Sequence, residues 1–73
     1  MNTKPLTTLQ KATYDYLVMF FRENHQLPPA YVTSSHFNVN INAITDRMAV
    51  LEKKGHVKKN SLGKYMFTKH KGE

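Results

Sequence analysis

Polar and small residues near the middle of the chain have the chemistry needed to recognise the bases of nucleic acid. Asn42 can form a bidentate hydrogen bond with adenine, and Asp46 can accept a hydrogen bond from the amino group of cytosine. The methyl groups of Ala43 and Thr45 can contact the methyl group of thymine. We predict that base contacts are made by Asn42, Ala43, Thr45 and Asp46.

Two of these residues have a second interpretation that the sequence leaves open. Asn42 could cap the first turn of a helix, where asparagine is common. Asp46 could pair locally with Arg47 or Lys53, because a carboxylate facing a polyanion is repelled unless it meets an amino group. Either alternative would remove the residue from the predicted base-reading group.

The positive charge of the chain is concentrated in its last third. The chain has 11 basic and five acidic residues, a net charge of +6. Residues 1–46 carry three of each kind, whereas residues 47–73 carry eight basic residues and two acidic ones. Such a field attracts polyanions, nucleic acid above all, although a surface that only keeps the protein in solution is the alternative. We predict that phosphates are bound by Arg47, Lys53, Lys54, Lys58, Lys59 and Lys64.

Catalysis, metal binding and membrane insertion are not predicted. The four histidines lack the spacing of a metal-binding helix, and the serines lack a nucleophile-elbow motif. The chain has no cysteine, which excludes disulfide bonds and fits a reducing cytoplasm. Its longest apolar run, residues 16–21, is far shorter than the roughly 20 residues that span a bilayer. We expect a cytoplasmic protein that is not an enzyme, with no cofactor, metal, membrane contact or inferred small-molecule ligand.

Two helices are predicted in the first half of the chain. Thr7 and Gln10 form a capping-box pattern that predicts a helix over residues 8–24, and Pro28 and Pro29 end it. A second, short helix is predicted over residues 30–37. One arc of the first helix is expected to face the core: Leu9, Thr13, Tyr14, Tyr16, Leu17, Phe20 and Phe21.

A third helix, predicted over residues 41–54, carries most of the base-reading residues. Asn40 is a favourable N-cap, and Gly55 can adopt the left-handed conformation that ends a helix. One face is apolar at intervals of three, four and three residues: Ile41, Ile44, Met48 and Leu51. A polar stripe lies roughly opposite: Asn42, Thr45, Asp46, Ala49 and Lys53.

A basic hairpin is predicted after the third helix. The apolar period changes to two residues over about residues 56–69, with turn chemistry at Asn60–Gly63. The predicted fold is therefore mainly α with a small β-hairpin (α+β), and it has the layout of a winged helix-turn-helix over residues 6–69. In such domains one helix enters the major groove and the hairpin lies along the phosphates. Residues 1–5 and 70–73 are expected to be disordered.

Several pieces of the sequence resemble the N-terminal DNA-binding domain of the LexA repressor family. In the family's order they are Leu6-Thr7 with Gln10, Leu27-Pro28-Pro29, Asn42-Ala43, and Leu51 with Lys54-Gly55-His56-Val57. The resemblance implies a small repressor-like transcriptional regulator, associated with the nucleoid when bound to DNA. It also implies that operator bases are read at the positions of Asn42, Ala43, Thr45 and Asp46, with Asn40 just before.

The chain departs from that family in three respects. Its second helix follows the family's Ile-Ala-x-x-Leu-Gly pattern only loosely. Thr45 and Asp46 stand where LexA commonly has glutamates, so its operator sequence is not transferred. The self-cleaving, dimerising domain of LexA is not in this sequence, so no protease activity is expected. A stand-alone DNA reader of this size suits a phage, plasmid or bacterial regulatory system.

Further interactions and functions stay open at this point. Val18 and Met19 lie outside the predicted core arc, where they could form a homodimer or partner patch or be scattered apolar surface. The alternative function is a winged-helix protein-interaction module that modulates another regulator or a polymerase. RNA binding is a third option, although the aromatic residues have the pattern of core residues and not of a base-stacking platform.

Overall fold

The computed structural model describes residues 5–68, with three helices followed by a two-stranded antiparallel sheet. The elements are α1 (Thr8–Asn24), α2 (Ala30–Phe37), α3 (Ile41–Lys53), β1 (Val57–Lys59) and β2 (Tyr65–Phe67). The predicted bounds of the first two helices are confirmed, and the third ends one residue earlier than predicted. The mainly helical α+β class is confirmed. Apart from Pro5, the termini predicted to be disordered lie outside the described residues, and so does Lys69 of the predicted hairpin.

Short-range hydrogen bonds explain where α1 begins and ends. The Gln10 N–H donates to Thr7 Oγ1 at 3.3 Å, and the Thr7 N–H donates to Gln10 Oε1 at 3.1 Å. This is the predicted capping box, and it satisfies amide groups that the first turn leaves without partners. At the other end His25 adopts the left-handed conformation (φ 60°), and its N–H donates to the Phe21 carbonyl oxygen at 2.7 Å. Both ends of α1 are therefore fixed by residues adjacent to them.

α3 is capped at both ends as the sequence predicts. Asn40 Oδ1 accepts a hydrogen bond from the Asn42 N–H at 2.8 Å, the usual N-cap interaction. Gly55 has a φ of 90°, a conformation that costs glycine little because it lacks Cβ. The Gly55 N–H donates to the Glu52 carbonyl at 3.0 Å and the His56 N–H to the Leu51 carbonyl at 2.9 Å. This Schellman arrangement turns the chain directly into β1.

α3 supplies most of the buried apolar core. Ile44, Met48 and Leu51 are buried on its inner face, and they pack with Leu17 of α1 and Val57 of β1. Leu51 and Val57 are completely inaccessible to solvent. The predicted apolar face of α3 is confirmed at these three α3 positions. The core therefore fixes which face of α3 remains outside.

Two threonines are buried without loss of hydrogen bonding. Thr13 in α1 and Thr33 in α2 are almost fully buried. The Thr13 hydroxyl donates to the Leu9 carbonyl oxygen at 3.0 Å, and the Thr33 hydroxyl donates to the Pro29 carbonyl oxygen at 3.2 Å. Each hydroxyl thus returns to the preceding helical turn and does not carry an unsatisfied polar group into the core.

The covered apolar surface is narrower than the periodicity predicts. Leu9 is 53%, Phe21 41% and Ile41 44% exposed, so the prediction that these residues face the core is wrong. Leu9 and Ile41 lie in the first turns of their helices, and Phe21 lies in the last turn of α1. α1 and α2 each pack mainly against α3, so the small core lies along α3. The ends of the helices extend beyond this core and stay exposed.

The hairpin has short strands and a tightly bonded turn. Val57 pairs with Phe67, and Lys59 pairs with Tyr65. Asn60 Oδ1 accepts hydrogen bonds from the N–H groups of residues 62 and 64, at 2.9 and 3.0 Å. Gly63 has the positive φ that the sequence predicts, 82°. The turn holds the basic residues on either side of it in a defined arrangement.

Candidate nucleic-acid interface

The polar stripe of α3 lies on the face opposite the core. Its members are all exposed: Asn42, Thr45, Asp46, Ala49 and Lys53. Ala43, at the edge of the stripe, is half-buried. Because Ile44, Met48 and Leu51 fix the inner face, the stripe has no covering element within the described residues. α3 thus presents a continuous polar surface to a partner.

Asn40 and Asn42 have different roles at the start of α3. Asn40, and not Asn42, is the N-cap, since its side-chain oxygen accepts the Asn42 N–H at 2.8 Å. The cap uses the Asn40 oxygen, which leaves its amide nitrogen for any external partner. The exposed Asn42 side chain makes no hydrogen bond within the described residues. Asn42 therefore keeps both a donor and an acceptor for a base edge.

Thr45 and Asp46 differ in what they can offer a ligand. The Thr45 hydroxyl donates to the Ile41 carbonyl oxygen at 3.2 Å, so its proton is used by the helix. What remains is a methyl group and an oxygen that can still accept. Asp46 forms no ion pair with Arg47 or Lys53, since Lys11–Asp15 is the one ion pair in the described part of the chain. Its carboxylate is therefore free to accept from an amino group.

Lys53 of the stripe and three lysines of the hairpin have no acidic partners in the described part of the chain. They are exposed, and they lie at the end of α3 and along the hairpin: Lys53, Lys58, Lys59 and Lys64. Lys59 Nζ lies 5.3 Å from the centre of the Tyr65 ring, a cation–π distance that leaves the charge available to an anion. These lysines form the positively charged part of the candidate interface.

Arg47, predicted to bind phosphate, is held between helices. Its guanidinium donates to Thr13 Oγ1 at 3.4 Å and lies 5.6 Å from the centre of the Phe37 ring. The residue is half-buried. Arg47 on α3 therefore links α1 to α2, a role that the sequence analysis missed because the partners are far away in the chain.

Lys54, also predicted to bind phosphate, is held by the start of the chain. Its Nζ donates to Gln10 Oε1 at 2.6 Å and to the Pro5 carbonyl oxygen at 3.1 Å. Gln10 thus serves both the capping box of α1 and the end of α3. No local pattern in the sequence indicates this contact, which joins residues 44 positions apart.

α3 and the hairpin meet along an open groove of about 610 Å³. Thr45 lines it from α3, and Lys59 and Lys64 line it from the hairpin. Asn60, which organises the turn, also lines it, and the sequence analysis named it only as a turn residue. The groove thus brings one predicted base-reading residue and two predicted phosphate-binding residues to the same concavity. Asn42, Asp46, Lys53 and Lys58 lie outside it.

The proposed dimer or partner patch is partly covered. Met19 is 50% exposed, whereas Val18 is half-buried. Only Met19 therefore offers a large apolar surface at this position. A single exposed methionine does not distinguish an interface from ordinary surface.

Comparison with known proteins finds no match among protein-family models or curated proteins. Within residues 5–68 there is no group of three or more His, Cys, Asp or Glu side chains that could hold a metal ion. In the same residues no helix is both long and apolar enough to cross a membrane. What the site can do chemically is accept and donate hydrogen bonds and attract anions.

Proposed function

We propose that the protein is a sequence-specific double-stranded DNA-binding protein with a winged helix-turn-helix fold, acting as a small, repressor-like transcriptional regulator. α3 enters the major groove, and the hairpin is the wing that lies on the phosphates. The observation that carries the proposal is the exposed polar face of α3 beside exposed lysines that have no acidic partner in the described residues. The resemblance to the LexA family in the sequence agrees with it.

The dimensions of α3 suit a major groove. Its 13 residues give a rod about 20 Å long, and a helix with side chains is about 10–12 Å wide. The major groove of B-DNA is about 12 Å wide, so it admits one helix. In helix-turn-helix proteins the N-terminal residues of the recognition helix contact the base edges. Asn42, Thr45 and Asp46 lie in the N-terminal half of α3.

The aromatic residues favour duplex DNA over single-stranded RNA. Tyr14 packs edge-on against Phe67 with ring centres 5.6 Å apart, and Tyr16 stacks on His36 at 4.0 Å. Single-stranded RNA is commonly bound by aromatic rings on which bases stack. These four rings already pack against one another in pairs, so less of their surface is left for a base to stack on.

The deciding experiment is a selection of bound sequences from random duplexes, followed by one substitution in α3. Asn42→Ala should weaken binding to the preferred sequence by about 1–3 kcal/mol and leave binding to unrelated duplexes nearly unchanged. Asn24→Ala is the control on another helix: Asn24 is exposed at the end of α1, and its side chain donates only to the Phe20 carbonyl oxygen of its own helix, at 3.0 Å. Affinities are measured by fluorescence anisotropy at one fixed salt concentration.

Two results would contradict the proposal. One is an Asn42→Ala variant that binds all duplexes, including the preferred one, as the Asn24→Ala variant does. The other is a folded wild-type protein that binds no duplex even at low salt. In that case the protein-interaction module becomes the better explanation of the exposed face of α3.

A further inference from the structure

The groove between α3 and the hairpin has features that DNA binding does not require. Its wall includes apolar residues from four parts of the chain: Phe21, Leu27, Pro28, Met48 and Met66. Phe21 and Met66 are 41% and 40% exposed, so these lining residues are not covered by the rest of the described chain. Apolar side chains gathered in one concavity are typical of a binding site for an apolar group.

The polar groups of the groove are positively charged. Lys59 and Lys64 both line it, and no acidic residue lies among the described residues of its wall. The turn that carries Lys64 is fixed by hydrogen bonds from the N–H groups of Leu62 and Lys64 to Asn60 Oδ1. An apolar wall with a cationic rim formed by Lys59 and Lys64 complements a ligand that has an apolar body and an anionic end.

We infer that this groove binds a small amphiphilic carboxylate. Its hydrocarbon tail packs against Phe21, Leu27 and Met66, and its carboxylate pairs with Lys59 and Lys64. The volume of about 610 Å³ falls within the roughly 300–1,000 Å³ of small-molecule sites.

Charge argues against the other occupants that the chain itself could supply. Residues 1–4 and 69–73 together contain three lysines and one glutamate, so neither end complements a cationic rim. A second copy of the chain has a net charge of +6 and is repelled for the same reason. A small anion has the opposite charge and is attracted to the two lysines.

The ligand would regulate DNA binding, a consequence that rests on the proposed function. Lys59 and Lys64 are two of the four exposed lysines assigned to phosphates, and Thr45 lines the same groove. A bound carboxylate neutralises charge that the phosphates need. Binding of the ligand and of DNA should therefore oppose each other, each weakening the other by the same factor.

The test uses sodium decanoate below its micelle-forming concentration, followed by ¹⁵N–¹H NMR. Decanoate should cause saturable shifts at groove residues such as Leu27 and Met66, and decyltrimethylammonium should not. Lys59→Gln/Lys64→Gln should weaken decanoate binding about tenfold, because each exposed ion pair between a lysine and the carboxylate is worth about threefold in affinity. Lys53→Gln/Lys58→Gln removes the same charge outside the groove and should change the affinity less than about twofold.

A second pair of variants tests the apolar wall. Met66→Ser should weaken decanoate binding, whereas Met19→Ser, at a methionine of similar exposure on α1, should not. Circular dichroism checks that every variant is folded. An absence of saturable shifts at the groove, or equal losses in both members of either matched pair, would overturn the inference. Tighter binding of an octapeptide of alternating leucine and glutamate would also overturn it in favour of a peptide segment.

The DNA arm keeps the two proposals separate. Decanoate should weaken duplex binding by the wild-type protein and have little effect on the Lys59→Gln/Lys64→Gln variant. If decanoate binds the groove and no duplex binds, the groove inference holds and the proposed function fails. If a duplex binds and decanoate does not, the proposed function holds and the groove inference fails.

Discussion

The salt dependence of DNA binding should separate the lysines that face solvent from the basic residues that hold the fold together. Each lysine that neutralises a phosphate contributes about −0.9 to the slope of log affinity against log salt concentration. Four exposed lysines have no acidic partner in the described residues, and the proposed function assigns them to phosphates: Lys53, Lys58, Lys59 and Lys64. Together they should contribute a slope of about −3.6.

Replacing Lys58, Lys59 and Lys64 by glutamine should remove three of these contacts. Between about 50 and 200 mM salt each contact is worth about 3.5-fold in affinity, so the wild type should lose about 40-fold more affinity than the triple variant. Comparing the two proteins cancels contributions from lysines outside the described residues. The assay is fluorescence anisotropy on one labelled duplex at a series of potassium chloride concentrations.

Lys54→Gln provides the control that can refute this reasoning. The Lys54 ammonium is bound to Gln10 Oε1 and the Pro5 carbonyl oxygen, so its removal should leave the slope unchanged. If Lys54→Gln made the slope shallower by as much as Lys58→Gln does, the intramolecular contacts of Lys54 would not keep it from the phosphates. The division of the basic residues into two groups would then be wrong.

Three further predictions concern the fold and the assembly. Asn40→Ala removes the N-cap of α3 and should cost about 1 kcal/mol, or roughly 4–8 °C in Tm, by calorimetry; an unchanged Tm would contradict the role of the cap. Gly63→Ala should lower the free energy of unfolding by about 1–2 kcal/mol, measured in urea, because alanine is strained at the φ of 82°. A Cβ at this position meets nothing within 4 Å, so a larger loss of stability would contradict this explanation. If Met19 joins two copies on DNA, Met19→Glu should halve the protein mass bound per duplex in light scattering, and an equal mass would exclude this dimer.

The helices could be predicted from the sequence because their ends are decided locally. Thr7 and Gln10 are three residues apart, and Asn40 adjoins the helix that it caps. Gly55 has a positive φ, which residues with a Cβ rarely adopt, so a glycine at this position indicates where α3 ends. Such signals need no knowledge of the rest of the fold.

The roles of the basic residues could not be predicted in the same way. Arg47 and Lys54 look like members of one basic cluster, but their partners Thr13 and Gln10 lie 34 and 44 residues away. The exposure of Phe21 likewise depends on how far the core extends beneath the end of α1. Charge and periodicity describe one element at a time, whereas these outcomes depend on which elements meet.

α3 both supplies the core and carries the proposed base-contacting face, and this limits how base-contacting residues can be identified by mutation. Its inner residues make up three of the five buried hydrophobic residues in the described part of the chain, so the outer face is only as ordered as that small core. A variant that unfolds half of the molecules doubles the apparent Kd without any contact to DNA being lost. The next loss of about 1.4 kcal/mol in the free energy of unfolding raises the apparent Kd about fivefold, and each later loss of that size raises it about tenfold. A base contact is therefore shown only where affinity falls and the free energy of unfolding does not. Asn42, exposed and without a side-chain hydrogen bond in the described residues, can meet this condition, whereas Asn40 cannot, because its side chain also caps the helix.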